Sequence, residues 1–295
     1  SSSSAASDVY KRQNHTVVGT NVLGEAAPLL KEMGNKAFIV TGKHVAVSDM
    51  MKQLTALLDE NGIGCVIFDG ITGEPTDTMI ENGVEMLKSS GCDFIIGIGG
   101  GSPLDSAKAI AAMAVNEGSI ADYNGKEITG EILPLATIPT TAGTGSEATK
   151  FTVITDSEKG IKMLLKGDVL VPKLAIVDSS FTVGAPKSVT SATGLDALTH
   201  AVEAYTSRKA FSMTDTLAVS AVKRIMKYLP IAYKEPDNSL AREQMSIAAL
   251  EAGICINNSS VTIVHGMSRP IGALFHVPHG MSNAMLLKEL SLIHI

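Results

Sequence analysis

An aspartate and a histidine stand four residues apart in Gly194-Leu195-Asp196-Ala197-Leu198-Thr199-His200-Ala201-Val202-Glu203. Leu195, Leu198, Val202 and Tyr205 recur around them at helical spacing, so the stretch predicts a helix with Asp196 and His200 stacked on one face. A carboxylate and a neutral imidazole one turn apart can grip one divalent cation. The same pair equally suits an Asp–His hydrogen bond on a helix surface, and two donors alone do not decide between the readings. Further donors would have to come from elsewhere. His265 in Val264-His265-Gly266-Met267 and His279 in Val277-Pro278-His279-Gly280 are the candidates, with His276 nearby as a decoy. Pro270 and Pro278 rule out one continuous helix carrying both, so His265 and His279 must arrive on separate segments.

A second kind of chemistry is suggested by two glycine loops. The apolar run Asp93-Phe94-Ile95-Ile96-Gly97-Ile98 ends in Gly99-Gly100-Gly101-Ser102-Pro103-Leu104-Asp105. The glycines permit a sharp turn, Ser102 suits an N-cap, Pro103 suits the first helical position, and Asp105 falls at capping-box spacing. Such a helix start, with free N–H groups after a glycine turn, is a natural phosphate site. It matches neither of the usual nucleotide-loop patterns, and a plain strand-to-helix linker would also contain glycine. The next strand, Leu133 to Ile138, ends in Pro139-Thr140-Thr141-Ala142-Gly143-Thr144-Gly145-Ser146-Glu147, which carries more hydroxyls than a turn requires. Two such loops at one sheet edge favour a dinucleotide.

The elements that must position these residues fall into two groups. Ala37–Thr41, Cys65–Phe68, Asp93–Ile98, Leu133–Ile138 and Leu174–Asp178 read as buried strands, with helices between the earlier ones. Residues 151–165 read as a hairpin in which Lys162 faces solvent by default. This order predicts an α/β dinucleotide-binding domain with a mostly parallel sheet over residues 14–184. Ligands bind such sheets at the carboxyl ends of the strands, where Gly42 and Asp69 also lie. From Pro186 onward the pattern is helical: Ser188–Ser207, Ser212–Tyr228 and Leu240–Ile254, with Pro230 as punctuation. An all-α metal-binding and catalytic domain, incomplete, is therefore expected over residues 185–290. Residues 1–13 and 291–295 fit neither pattern and are expected to be foreign or fraying ends.

The chain has 295 residues, with 45% apolar and 18% charged side chains and a net charge of −6. That balance, with no basic run, argues against nucleic acid as a partner. Cys65, Cys92 and Cys255 are scattered, as in a reduced cytoplasmic protein. No apolar run is long enough to span a bilayer, and Ser1 to Gln13 lacks the apolar core of a signal peptide. A soluble, cytoplasmic protein acting on a small molecule is expected.

Taken together, Gly99-Gly100-Gly101-Ser102-x-x-Asp105-x-x-Lys108, the Pro139–Glu147 loop, Gly194-x-Asp196-Ala197-Leu198-x-His200-x-x-Glu203, His265-Gly266-Met267 and Pro278-His279-Gly280 resemble the iron-containing (group III) alcohol dehydrogenases. The resemblance runs from about Val17 to Glu289. It implies an NAD or NADP site and one divalent metal, usually Fe²⁺ though Zn²⁺ suits the same donors. By resemblance the ligands are Asp196, His200, His265 and His279, which are also the catalytic set. Gly99, Gly100, Gly101 and Ser102 would hold the pyrophosphate, with Asp105 in the same loop motif. Thr140, Thr141, Thr144 and Ser146 would line the ribose and nicotinamide side, and Lys162 falls on a coenzyme-contacting position. The implied reaction interconverts a short primary alcohol or diol and its aldehyde. The metal lowers the pKa of the alcohol, and a hydride passes to nicotinamide C4. The family is often dimeric or larger, so a homo-oligomer is expected.

Two departures stand out. Many members end the first strand in Thr-Asp, whose carboxylate holds the adenosine ribose and repels a 2′-phosphate; here the pair is Thr41-Gly42, followed by Lys43 and His44. NADP should therefore be used at least as well as NAD. Some members carry a histidine four residues after the third ligand as a proton relay; here it is Arg269, which leaves His276 or water for that task. Two rival readings follow. A lyase resembling dehydroquinate synthase would need several basic anchors, and the pocket segments offer only Arg269. A truncated chain that binds coenzyme without turnover would follow if late family helices that close the metal domain are missing.

Overall fold

Short aliphatic runs without alternation make strands buried on both faces, and such strands pair in parallel beneath helices. The computed structural model describes residues 15–275, 277 and 279–294. Its strands are β1 (His15–Gly19), β2 (Lys36–Val40), β3 (Gly64–Phe68), β4 (Phe94–Gly99), β5 (Leu135–Pro139), β6 (Phe151–Asp156), β7 (Ile161–Lys166) and β8 (Leu174–Asp178). Six of them form one sheet in the order β1-β8-β5-β4-β2-β3, parallel throughout. β6 and β7 form a separate antiparallel hairpin. Helices α1 (Ala27–Met33), α2 (Lys43–Ala46), α3 (Asp49–Glu60), α4 (Asp77–Ser90) and α5 (Gly101–Met113) fill the connections. Successive strand residues serve opposite faces of the sheet. Phe38 and Ile95 join one apolar core with Ile110, while Ile39 and Ile96 join the other with Leu54 and Ile176.

The strand order reverses between β2 and β4, and a crevice opens at such a reversal on the carboxyl side of the sheet. The chain leaves β2 at Thr41-Gly42, β3 at Asp69-Gly70, β4 at Gly99-Gly100 and β5 at Pro139-Thr140, all on that edge. The start of α5 differs from expectation. Gly100, not Ser102, is the N-cap, and no side chain caps the helix. Gly99 turns the chain with φ +146°. A Cβ on Gly101 would stand 2.8 Å from Thr144 Cγ2, so the loop after β5 lies against this first turn. Asp105 makes no capping box; its carboxylate accepts from Ser146 Oγ at 2.5 Å and Val153 N at 2.9 Å.

Beyond β8 the described chain is helical: α6 (Lys187–Thr206), α7 (Ser212–Lys234), α8 (Ser239–Ser259), α9 (Ile263–Phe275) and α10 (His279–His294). Alanines let α6, α7 and α8 approach closely around Ala197, Ala201, Ala221, Ile225, Met245 and Ala248. Pro230 does not end its helix as expected, for α7 runs on to Lys234. Pro230 and Met226 both lie on the exposed side, where water can serve the carbonyl that loses its N–H partner. Residues 291–294 form the last turn of α10 rather than a patternless end, while residues 1–13 lie outside the described residues. No described helix is long and apolar enough to cross a membrane.

The helical part meets the sheet edge through backbone contacts that only glycine permits. Gly145, in the loop after β5, adopts φ +62°, and a Cβ there would lie 2.5 Å from Gly253 Cα on α8. A Cβ on Gly253 would stand 2.6 Å from the Gly145 carbonyl oxygen. Asn257, one turn later on α8, accepts from Lys150 N at 2.8 Å. Gly253→Ala should therefore push the loop off α8 and destabilise the fold by about 1–3 kcal/mol. Denaturant titration beside Gly73→Ala, whose added Cβ meets nothing within 4 Å, checks this. A Gly253→Ala loss no larger than the ~0.5 kcal/mol of an ordinary surface change contradicts the packing argument.

A candidate metal centre facing a coenzyme cleft

Residues four apart share a helix face, and α6 uses that face to bury rather than to expose. Asp196 is 3% exposed and His200 5%. The surface hydrogen-bond reading of the pair is thereby set aside. α9 brings His265 and α10 brings His279, so the two come from separate helices as the prolines require. Asp196, His265 and His279 each offer one ligand atom, all within 4.8 Å of one another. Asp196 Oδ1 lies 3.7 Å from His265 Nε2, 3.7 Å from His279 Nε2 and 4.0 Å from His200 Nε2. Two donors on one tetrahedral cation with bonds of ~2.1 Å stand about 3.4 Å apart, so these separations fit a single ion after small shifts. His200 stands at the margin of the group. Its ring stacks on His265 with centroids 4.6 Å apart, and its Nδ1 is buried without a hydrogen-bond partner among the described residues.

The charges suit a cation. Burial alone would raise the Asp196 pKa, but His200, His265 and His279 hold it far below the usual carboxylate range. Burial, opposed by Asp196 and reinforced by the neighbouring imidazoles, lowers His200 to about 4, which leaves its ring neutral and able to donate a lone pair at pH 7. For His265 burial acts downward, yet hydrogen bonds to Asp196 and Glu203 raise it overall.

Glu203 has no role in the sequence reading beyond its place in the motif, yet it is central here. It follows Asp196 by seven residues, so it shares the same face of α6. It is 2% exposed, and its Oε2 lies 2.5 Å from His265 Nδ1. Its Oε1 accepts from Thr262 Oγ1 at 2.7 Å and Val264 N at 2.6 Å, which fixes the start of α9. A carboxylate on Nδ1 keeps the proton there and turns the Nε2 lone pair toward Asp196. Asn283, one turn after His279, is the second residue that sequence reasoning passed over. Its side-chain nitrogen lies 2.6 Å from Asp196 Oδ1, 3.1 Å from His265 Nε2 and 3.2 Å from His279 Nε2. The four-residue step that pairs Asp196 with His200 would have pointed to it.

One cleft of about 250 Å³ joins this centre to the sheet edge. Gly101, Ser102, Asp105, Thr144, Ser146 and Lys162 line it at one end, and Asp196, His200, His265 and His279 at the other. Lys162 is not left to open solvent: it lines the cleft and pairs with Glu74 at 2.6 Å. The other predicted coenzyme residues sit on the same edge but not in this cleft. Thr140 N donates to the Gly99 carbonyl at 2.8 Å, and Thr141 packs 3.6 Å from where a Cβ on Gly100 would be. Gly42 and Asp69 lie further along, after β2 and β3. Lys108, buried beneath the loop, donates to the Thr149 carbonyl at 2.8 Å, Thr149 Oγ1 at 3.0 Å and the Phe151 carbonyl at 2.8 Å. Burial brings its pKa down to about 8, against the pull of Asp105 and Glu147. The side chain of Arg269 and all of His276 and Pro278 lie outside the described residues.

Glu203→Gln keeps the shape but weakens the hold on the His265 tautomer. Affinity for Zn²⁺, read by competition with a chelator, should fall roughly 10–100-fold. An unchanged affinity would show that His265 needs no such partner.

The iron-containing alcohol dehydrogenase family matches residues 13–179, and the C-terminal domain of the Fe-containing alcohol dehydrogenase family matches residues 190–293. The NAD-dependent methanol dehydrogenase of Bacillus methanolicus is 38% identical over 272 residues, covering 92% of this chain and 71% of that protein. A solved 1,3-propanediol oxidoreductase superposes with a TM-score of 0.95 at 36% identity, covering 98% of this chain and 76% of the other. The sulfoacetaldehyde reductase of Bifidobacterium kashiwanohense, solved with NAD⁺, gives 0.92 at 33% identity over 97% of this chain and 76% of that one. With sequence matches across both parts of the chain and structural matches across nearly all of it, the chain belongs to the iron-containing alcohol dehydrogenase family.

Proposed function

We propose that the chain is a metal-dependent, NAD(P)-linked dehydrogenase that interconverts a short primary alcohol or diol and its aldehyde. The observation that carries this is the single cleft whose two ends are a glycine-and-hydroxyl loop pair and a cluster of a carboxylate with imidazoles. When bound, a divalent cation supplies Lewis acidity toward the alcohol or aldehyde oxygen, and a nicotinamide supplies the hydride acceptor or donor. Asp196, His200, His265 and His279 would hold the cation. Among them Asp196 alone brings negative charge, and Glu203 keeps His265 oriented. Thr144 and Ser146 line the stretch of cleft between loop and donors, where the nicotinamide end would lie. Ile256, Val261 and Leu164 supply an apolar lining and exclude water from the reacting carbon. The apolar lining favours a small, uncharged substrate, and the relatives named for methanol and 1,3-propanediol support that class.

The coenzyme choice rests on the end of β2. A Cβ on Gly42 would lie 2.9 Å from the Ile71 carbonyl oxygen, so the local backbone leaves no room for a carboxylate there. Lys43 and His44 follow, both exposed. Nothing at position 42 repels a 2′-phosphate, and Lys43 stands ready to attract one. NADP is therefore used at least as well as NAD in this reading.

The activity is tested by oxidation of 1-butanol and 1,3-propanediol with each coenzyme and with Fe²⁺ or Zn²⁺. Asp196→Ala and His200→Ala should abolish metal-dependent turnover while coenzyme binding, followed by fluorescence, stays near wild type. Their loss of metal affinity should exceed the roughly 10–100-fold typical of losing an outer partner. Metal-independent turnover, or a chain that binds coenzyme and never turns over, defeats the proposal. For the coenzyme, kcat/KM with NADP should equal or exceed that with NAD. Lys43→Glu should lower the NADP:NAD ratio by about tenfold, or ~1.4 kcal/mol. A strong NAD preference in the unmodified protein refutes the coenzyme assignment.

A further inference from the structure

Asn283 is fully buried, and its carboxamide nitrogen sits where the donor atoms of Asp196, His265 and His279 converge, at 2.6, 3.1 and 3.2 Å. The NH₂ group carries partial positive charge and two protons, so one can go to the Asp196 carboxylate while the other is shared between the His265 and His279 ring nitrogens. The contact with His265 is self-consistent, because Glu203 on Nδ1 leaves Nε2 as an acceptor. The carboxamide oxygen, by contrast, is buried with no hydrogen-bond partner among the described residues. Such an orphan is costly. Among the described residues the side chain is thus held by its nitrogen, in a position where its oxygen meets no donor.

We infer that Asn283 is a built-in surrogate for the cation: its NH₂ group holds Asp196, His265 and His279 together, and metal enters by displacing it. This rests on the reading that these donors hold a divalent metal. Its place on α10 makes displacement feasible, because a rotation about the side-chain torsions moves the carboxamide without moving the helix. The surrogate preserves the donor geometry when metal is scarce, so the ligands neither scatter nor collapse on one another. It also weakens metal binding, because the hydrogen bonds it makes must be given up first.

Zn²⁺ is the probe, since it takes the same donors and has no redox chemistry. On the full chain, Asn283→Ala should raise Zn²⁺ affinity by about 5–30-fold, the equivalent of one or two hydrogen bonds no longer surrendered. The metal-free variant should melt below the metal-free wild type, and saturating Zn²⁺ should close most of that gap. A variant that binds Zn²⁺ equally or more weakly overturns the inference while leaving the metal site intact. A wild-type chain that binds no Zn²⁺ removes both the inference and the reading beneath it. If Asn283→Ala does not fold, a crystal structure of the Zn²⁺-loaded wild type decides. The carboxamide should be turned out of the donor triangle; if its nitrogen remains within 3.2 Å of the three donors, the inference is wrong.

Discussion

The rest of the helical part depends on one buried charge. Asp196 sits on a helix packed against α7, α8 and α10, with 3% of its surface exposed. An isolated carboxylate in such a place would protonate or unfold its surroundings. It stays ionised because three imidazoles and an amide nitrogen crowd its oxygen. Those groups come from α6, α9 and α10, so the charge cannot be solvated by protein without drawing three helices to one point. A surface Asp–His pair would impose no such demand. The cluster is therefore architecture as well as a candidate metal site, and a divalent ion in its midst would match the charge better than any neutral group does.

The second constraint is the distance between this cluster and the sheet edge. The proposed hydride transfer would require the reacting carbons to approach within van der Waals range, so the helical part and the sheet edge must be fixed relative to one another. Gly145 against Gly253 does this with backbone atoms, which have no rotamers to vary. Asp105, Ser146 and Val153 tie the first glycine loop to the second and to the hairpin. Lys108 ties the helix beneath them to the chain at Thr149 and Phe151. A motif that resembles a helix cap is thus part of a frame that holds two loops in register.

Much of this was legible in the sequence because it follows from local spacing. The unbroken apolar runs of β2, β4, β5 and β8 identify buried parallel strands, and Asp196 with His200 identifies one helix face. Pro270 and Pro278 separate His265 from His279 by covalent geometry alone. What escaped depended on partners distant in the chain. Ser102 is well placed to cap α5, but Thr144, from the next loop, lies against that first turn. Lys162 alternates as a solvent-facing residue would, yet it lines the cleft and pairs with Glu74. Pro230 reads as a stop, but a proline on an exposed helix face sacrifices only a carbonyl that water can serve. β1 was overlooked because a short edge strand carries too few apolar residues to stand out from a fraying end.

Glu203 and Asn283 escaped for a different reason: neither is a usual metal ligand, so a search for ligand types passes over both. Their spacing, not their chemistry, gives them away. Each lies on the same helix face as a proposed donor, Glu203 one turn beyond His200 and Asn283 one turn beyond His279. The burial of the side chains is graded along these faces. Asp196 and His265 are 4% and 3% exposed at the side chain, His200 is 7%, and His279 reaches 40%. The cluster thus opens toward solvent at α10, the helix that carries both the most accessible donor and the amide at the centre. α10 docks on α6 through Gly280, where a Cβ would collide with the Ala192 carbonyl oxygen at 2.1 Å. The first turn of α10 is accordingly held by its backbone, with the His279 side chain partly exposed and Asn283, one turn on, buried. His279 is thus the proposed donor nearest solvent, whereas those on α6 and α9 lie buried behind it.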